Sequence, residues 1–363
     1  DQASLRKAAG QSIVLGVLVV TALEIIAQVF LRPVLTLMNT PQDTYHLTLI
    51  YLRITFGGLP LVMGYNLFSG FLRSVGNSRT PLIAMTSAAL CNIALDILFV
   101  AGFGWGVVGV ATATVISQGI SCIICLVSVL RLPILRISRS HLRLTRDVTG
   151  RLMRLGIPIS FQNFIISVGG LVLQGVVNAQ GFIFMAGYSA AGRLQGLIEL
   201  AGTALSAAVG TFTGQNIGAR KLDRVKLGLR KSVQIAAVLA LIMGSIVLIW
   251  GKPMLKLFIE DDPAIVEQVL TYGYRFLIFM GSGLIALYML FVYRSTLQGL
   301  GDTFIPMISG IVELFMRIGG ALLLPLLIGE WGIYLAEIMA WIGAAVLLIW
   351  GYYKRIRQLS VGG

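Results

Sequence analysis

The stretch Val107-Val-Gly-Val-Ala-Thr-Ala-Thr-Val-Ile-Ser-Gln-Gly-Ile-Ser-Cys-Ile-Ile-Cys-Leu-Val-Ser-Val-Leu130 runs for 24 residues without one Asp, Glu, Lys or Arg. Wound as an α-helix at about 1.5 Å per residue it reaches roughly 36 Å, enough to cross a hydrocarbon core about 30 Å thick. Runs of the same character recur on both sides of it. The hydropathy pattern predicts ten spanning helices, at 12–31, 46–70, 80–101, 107–130, 156–178, 183–212, 231–250, 263–293, 303–328 and 332–352. The fold class this implies is an all-α polytopic membrane protein. Composition agrees: 57% of the 363 residues are hydrophobic and 12% charged, against about 25% charged in soluble domains. A water-soluble enzyme, a disordered chain, a coiled coil and a disulfide-rich secreted scaffold are thereby excluded. Cys91, Cys122 and Cys125 all fall in apolar runs, so Cys122-Ile-Ile-Cys125 reads as small residues in a helix rather than a redox motif.

The net charge of +13 invites a nucleic-acid reading, but its distribution along the spans argues for topology instead. With loops alternating sides, one side collects Arg6 and Lys7, Arg73 and Arg79, and the seven arginines at 131, 136, 139, 143, 146, 151 and 154. It also collects the six basic residues between Arg220 and Lys231, then Arg294, Lys354, Arg355 and Arg357. The opposite side holds Arg32, Lys252 and Lys256, beside the acidic run Glu260-Asp261-Asp262. The positive-inside rule makes the basic side cytoplasmic, with both ends of the chain inside and no nucleic-acid partner.

The sequence also repeats. Gly70-Phe-Leu-Arg-Ser-Val-Gly-Asn-Ser-Arg-Thr-Pro81 matches Ser295-Thr-Leu-Gln-Gly-Leu-Gly-Asp-Thr-Phe-Ile-Pro306 at an offset of 225, and Trp105-Gly106 matches Trp331-Gly332 at 226. Arg32-Pro33 matches Lys252-Pro253, and Leu5-Arg6-Lys7 matches Leu229-Arg230-Lys231. Equivalent loops fall on the same side, so the repeat is parallel, an arrangement used by transporters. The division it implies is an amino-terminal lobe at 1–135, a basic linker at 136–155 and a carboxyl-terminal lobe at 156–363. The second half has two helices upstream of its Leu-Arg-Lys anchor. By the same arithmetic, roughly 75–80 residues and two helices are expected before Asp1, making ten of twelve spans present.

Ionisable groups inside a bilayer are costly and are functional candidates by default. The acids are Glu24, Asp96, Glu199, Glu313 and Glu337; the bases are Arg53, Arg193, Arg275 and Arg317. Asp96 follows Asn92 by one helical turn, so the pair can offer a carboxylate and an amide carbonyl to a desolvated cation; the alternative is a solvated helix end. Glu313 and Arg317 are spaced i, i+4 in the favourable order and read as a structural pair. Gly299-Leu-Gly-Asp302 matches the GxGD element of intramembrane aspartyl proteases. That chemistry needs a second aspartate sharing a proton; Asp302 begins a cytoplasmic turn, and no span supplies a Tyr-Asp partner. Metal, P-loop and serine-nucleophile motifs are absent. His46 and His141 lie near membrane ends, where surface positions are expected.

Several of these elements resemble the multidrug and toxic compound extrusion (MATE) transporters, whose superfamily also holds flippases for lipid-linked oligosaccharides. They are Leu72-Arg-Ser-Val-Gly76-Asn77-Ser-Arg-Thr80-Pro81 and its echo from Leu297 to Pro306, Asn92-Ile-Ala-Leu-Asp96, Gly109-Val-Ala-Thr-Ala-Thr114, Gly156-Ile-Pro158 and Gly214-Gln-Asn216-Ile-Gly218-Ala219. The resemblance covers essentially the whole chain, as the family's third to twelfth helices. It implies a two-lobe bundle forming a V around a central cavity, and an inner-membrane, monomeric antiporter working by alternating access. Such a protein exports cationic or amphipathic compounds in exchange for H⁺ or Na⁺ and uses no cofactor. The runner-up is a flippase for a lipid-linked substrate. In the DinF-like branch, a proton/cation network is similar to Asn66, Asn92, Asp96 and Thr114, with a partner aspartate on a first helix lying before this sequence. The acids of the NorM-like branch are replaced here by Ile166 and Leu287. The substrate cavity is expected to be lined by Phe68, Phe161, Tyr188, Tyr288 and Met289, with polar contacts from Gln162 and Asn163.

Overall fold

The computed structural model describes residues 2–38, 40–259 and 263–361, which are helical over almost their whole length and contain no strand. The acidic run at 260–262 lies outside the described residues. The helices are α1 (Gln2–Leu37), α2 (Gln42–Gly57), α3 (Leu59–Ser74), α4 (Arg79–Asp96), α5 (Gly106–Leu130) and α6 (Arg146–Asn178). They continue with α7 (Phe182–Gly218), α8 (Leu222–Lys256), α9 (Pro263–Gly299), α10 (Phe304–Leu323), a single turn α11 (Pro325–Ile328) and α12 (Trp331–Val361).

Among the described residues, ten spans are long and apolar enough to cross a membrane, in the order the hydropathy pattern predicts. Their outer surfaces carry residues such as Leu18, Ile25, Phe164, Leu241 and Ile249, all roughly half exposed or more. Water would not tolerate so much apolar surface; lipid requires it.

Three details depart from the predicted spans. The helices run well past the apolar segments, so Arg146, Arg151 and Arg154 belong to α6, and Arg224 to Lys231 belong to α8. The span predicted at 46–70 is two helices, α2 and α3, broken at Gly58 just ahead of Pro60. Proline has no amide hydrogen and disfavours helical backbone before it, which accounts for the break. Finally, α4 runs into a π-helical turn at Ile97–Gly102, immediately after Asp96.

The chain divides into two compact units at 153/154. In the first, α5 packs on α2, α3 and α4, and α1 on α2 and α3. The basic connection before α6 forms two short 3-10 turns, at Pro133–Leu135 and Arg139–Leu142. It is fastened to α1: Arg6 donates to the Pro133 and Ile134 carbonyls at 2.9 and 3.1 Å. Buried Gln11 donates to Thr145 Oγ1 at 2.9 Å and accepts from the Thr145 amide and the Thr149 hydroxyl. In the second unit, α9 is central, packed by α7, α8 and α12, with α10 on α12.

The repeat is visible in the backbone. Gly76 and Gly301 have φ of +88° and +78°. The next amide closes the same turn in each copy, Asn77 N to Leu72 O at 2.9 Å and Asp302 N to Leu297 O at 3.0 Å. This is the helix-ending arrangement that favours glycine in the left-handed region. Asn77 Oδ1 then accepts the Thr80 amide, and Asp302 Oδ1 accepts those of Phe304 and Ile305. Both side chains thus cap the helix that follows.

Candidate functional site

In the first unit, Asn92 on α4 and Thr114 on α5 wall a cavity of about 170 Å³, together with Tyr65 on α3 and Ser117, Gln118 and Ser121 on α5. The hydroxyls of Thr114, Ser117 and Ser121 donate to carbonyls of their own helix. Their oxygens keep lone pairs free to meet a donor or a cation. Asn92 Nδ2 is buried without a hydrogen-bond partner, and so is Asp96 Oδ1 one turn further along α4. Leaving such groups unsatisfied costs about 1–3 kcal/mol each, so they mark a place where a partner is to be expected. Asn66, expected with them, does not join: it is exposed and its amide bonds back to Val62 O at 2.9 Å. Phe68 is half-buried in the apolar core of this unit, edge-on to Phe71.

In the second unit, the pair Glu313–Arg317 is formed, at 2.9 Å, but as part of a larger network. Arg294 on α9 reaches the other oxygen of Glu313 at 2.9 Å, and Arg317 also bonds Glu337 of α12 at 3.2 Å. Side-chain exposures of 11% for Arg294, 6% for Glu313, 7% for Arg317 and 11% for Glu337 place all four inside the bundle. Arg294, expected in a loop on the basic side, is therefore a buried residue of α9. Close approach of α6 completes the packing, since a Cβ on Gly169 would stand 3.2 Å from Arg317 Nη1.

Other expected positions resolve into core, surface and membrane ends. Tyr188 and Tyr288 are buried in the core of the second unit. Tyr188 stacks among Phe184 and Phe276, and fully buried Tyr288 donates to Ile198 O at 2.8 Å. Met289 packs half-buried against the same core. Gln162 is buried and accepts from Gln298 at 3.3 Å, whereas Phe161 and Asn163 are exposed on α6. Arg275 pairs with Glu330 at 2.6 Å and lies over the Trp331 ring, and Arg193 lies over the Phe258 ring. Glu199 accepts from Gln195 at 2.7 Å. The side chain of Asp302 is engaged in capping α10, which leaves no basis for the GxGD protease reading.

A polytopic helical bundle built as a tandem parallel repeat, with polar groups buried inside each unit, is an architecture that membrane transporters use. The MatE family profile matches residues 1–98 and 158–323, and the chain belongs to this family. It is 25% identical to the probable multidrug resistance protein YoeA of Bacillus subtilis, over 98% of this chain and 78% of that protein. It is 31% identical to the probable multidrug resistance protein YpnP of the same organism, over 68% of this chain and 56% of that one. Among solved structures, a MOP-superfamily transporter from Pyrococcus furiosus matches 99% of this chain and 80% of its own, with a TM-score of 0.93 at 21% identity.

Proposed function

We propose that this chain is an efflux antiporter that exports cationic or amphipathic small molecules in exchange for H⁺ or Na⁺ by alternating access, and that the exchanged ion binds at Asp96. The observation that carries this reading is the buried, unpartnered Asp96 Oδ1, one helical turn beyond Asn92, which itself walls a cavity edged by the hydroxyls of Thr114, Ser117 and Ser121. A carboxylate, amide carbonyl and hydroxyl oxygens are hard donors suited to Na⁺, and the same carboxylate can take H⁺ instead. Ion and substrate then exchange by linkage, each favouring a different state of the protein. Multidrug relatives such as YoeA and the MepA export proteins support the substrate class. Phe161 and Asn163, exposed on α6, offer a flat apolar face and an amide for diverse substrates.

Most of the arginines fall in the loops and helix ends of the basic side, which counts against a lipid-linked phosphate or pyrophosphate as cargo. The basic loop distribution supports a cell-membrane protein with both ends of the chain cytoplasmic. Cells expressing the full protein should expel ethidium against its gradient. Efflux should slow when the proton or sodium gradient is collapsed by the matching ionophore; efflux indifferent to both gradients would remove ion exchange from the account.

A further inference from the structure

The repeat allows the two units to be compared position by position. At the offset of 225, Ser69, Ala88 and Asn92 correspond to Arg294, Glu313 and Arg317; at the offset of 226, Ala111 corresponds to Glu337. All four members of the buried charge network therefore have small or neutral counterparts in the first unit. Where the second unit is filled by long charged side chains, the first keeps its cavity of about 170 Å³, walled by Ala88 and Asn92. The counterparts of Glu313, Arg317 and Glu337 are uncharged, and only at the level of Arg294 does the first unit bring a guanidinium, that of Arg73, which donates to Ser69 Oγ at 3.2 Å.

The network is balanced, with two guanidinium groups and two carboxylates. Both oxygens of Glu313 are taken, one by Arg294 and one by Arg317, and Glu337 is bonded by Arg317. Arg294 also meets Ser309 Oγ at 3.4 Å. Glu199 and Tyr188, both on α7, are the titratable groups that face the network electrostatically from that helix. A guanidinium keeps its proton in proteins and cannot leave its tether. Carboxylates paired with it face a positive charge that stays with the protein.

We propose that Arg317 is a resident cation, its guanidinium filling for good the place that the first unit leaves to an exchangeable ion. The proposal rests on the reading of Asp96 as the exchange site. It follows that Glu313 and Glu337 take no part in ion exchange, so that each chain turns over one ion position, not two. Neutralising Arg317 leaves Arg294 facing two buried carboxylates, an unbalanced negative charge that Na⁺ or H⁺ from solution will then fill.

The test counts ions on the purified full chain, by ²²Na⁺ binding and by proton uptake in weakly buffered solution. Glu337→Gln should leave the exchangeable ion count of the wild type unchanged. Arg317→Gln should add one bound cation, retained when Asp96→Asn is combined with it and lost in Arg317→Gln/Glu337→Gln. A lower count in Glu337→Gln, or a folded Arg317→Gln chain with no added cation, would overturn the proposal. Should Arg317→Gln not fold, the Glu337→Gln count alone decides. An unchanged count in Asp96→Asn would refute the coupling role of Asp96 instead, a separate outcome from either of these.

Discussion

Arg294 and Arg317 grip opposite oxygens of Glu313, each at 2.9 Å, from two different helices. Glu313 is thus the hinge-pin of the network that ties α9 to α10, with Arg317 carrying the tie on to α12. Removing one member of such a buried set leaves an uncompensated charge, at a cost of roughly 3–5 kcal/mol. Glu313→Ala should therefore lower the thermal midpoint sharply. Arg317→Gln/Glu337→Gln, which keeps the charges balanced, should cost less than Arg317→Gln alone when melts are compared in one detergent.

Gly169 and Gly170 make a paired test of the α6 contact. A Cβ at Gly169 would meet Leu314 and Arg317 at 3.1 and 3.2 Å, whereas one at Gly170 meets nothing within 4 Å. Gly169→Val should destabilise by about 1–3 kcal/mol through overpacking. Gly170→Ala should be neutral or stabilising by up to about 1 kcal/mol. Equal melting curves for the two variants would contradict the packing described.

Gln11 holds the connection before α6 through three hydrogen bonds. Gln11→Leu should leave the Thr145 amide without its acceptor and loosen the segment 131–145, at a cost of about 1–3 kcal/mol. Limited trypsin digestion reads this directly, because Arg136, Arg139 and Arg143 lie in that segment and are exposed. Cleavage there should accelerate in the variant, while the Arg6 contacts keep the first turn in place.

Asp302→Ala removes a helix cap, so it should lower stability by about 0.5–2 kcal/mol and leave transport per folded molecule intact. Loss of all activity at full folding would reopen the question of chemistry at that aspartate.

The spans were legible because a run of apolar residues near 20 long has few other uses, and the repeat was legible because its turns need glycine at Gly76 and Gly301. Helix ends were not, since hydropathy marks where lipid begins while a helix continues until its backbone is capped. That is why Arg294, five residues before the end of α9, was expected in a loop. Glu313–Arg317 followed from i, i+4 spacing; Arg294 and Glu337 join it from other helices, at separations of 19 and 20 residues that no local rule reads. The repeat held the missing clue, because Arg294 aligns with Ser69 inside α3. Tyr188 and Tyr288, named for a cavity, sit in the core of the second unit, since aromatic residues at helical spacing serve a core as readily as a cavity.

The central claim is that Asp96 carries the exchanged ion, and reconstituted vesicles test it most directly. Wild-type protein and Asp96→Asn, matched for folding and orientation, would be given an imposed proton or sodium gradient while efflux of a fluorescent cation is followed. The account predicts that gradient-driven efflux falls at least about tenfold in Asp96→Asn, equivalent to about 1.4 kcal/mol in the effective barrier. Binding of the fluorescent substrate at equilibrium should survive. Efflux in Asp96→Asn that still rises with the gradient as the wild type does would contradict it.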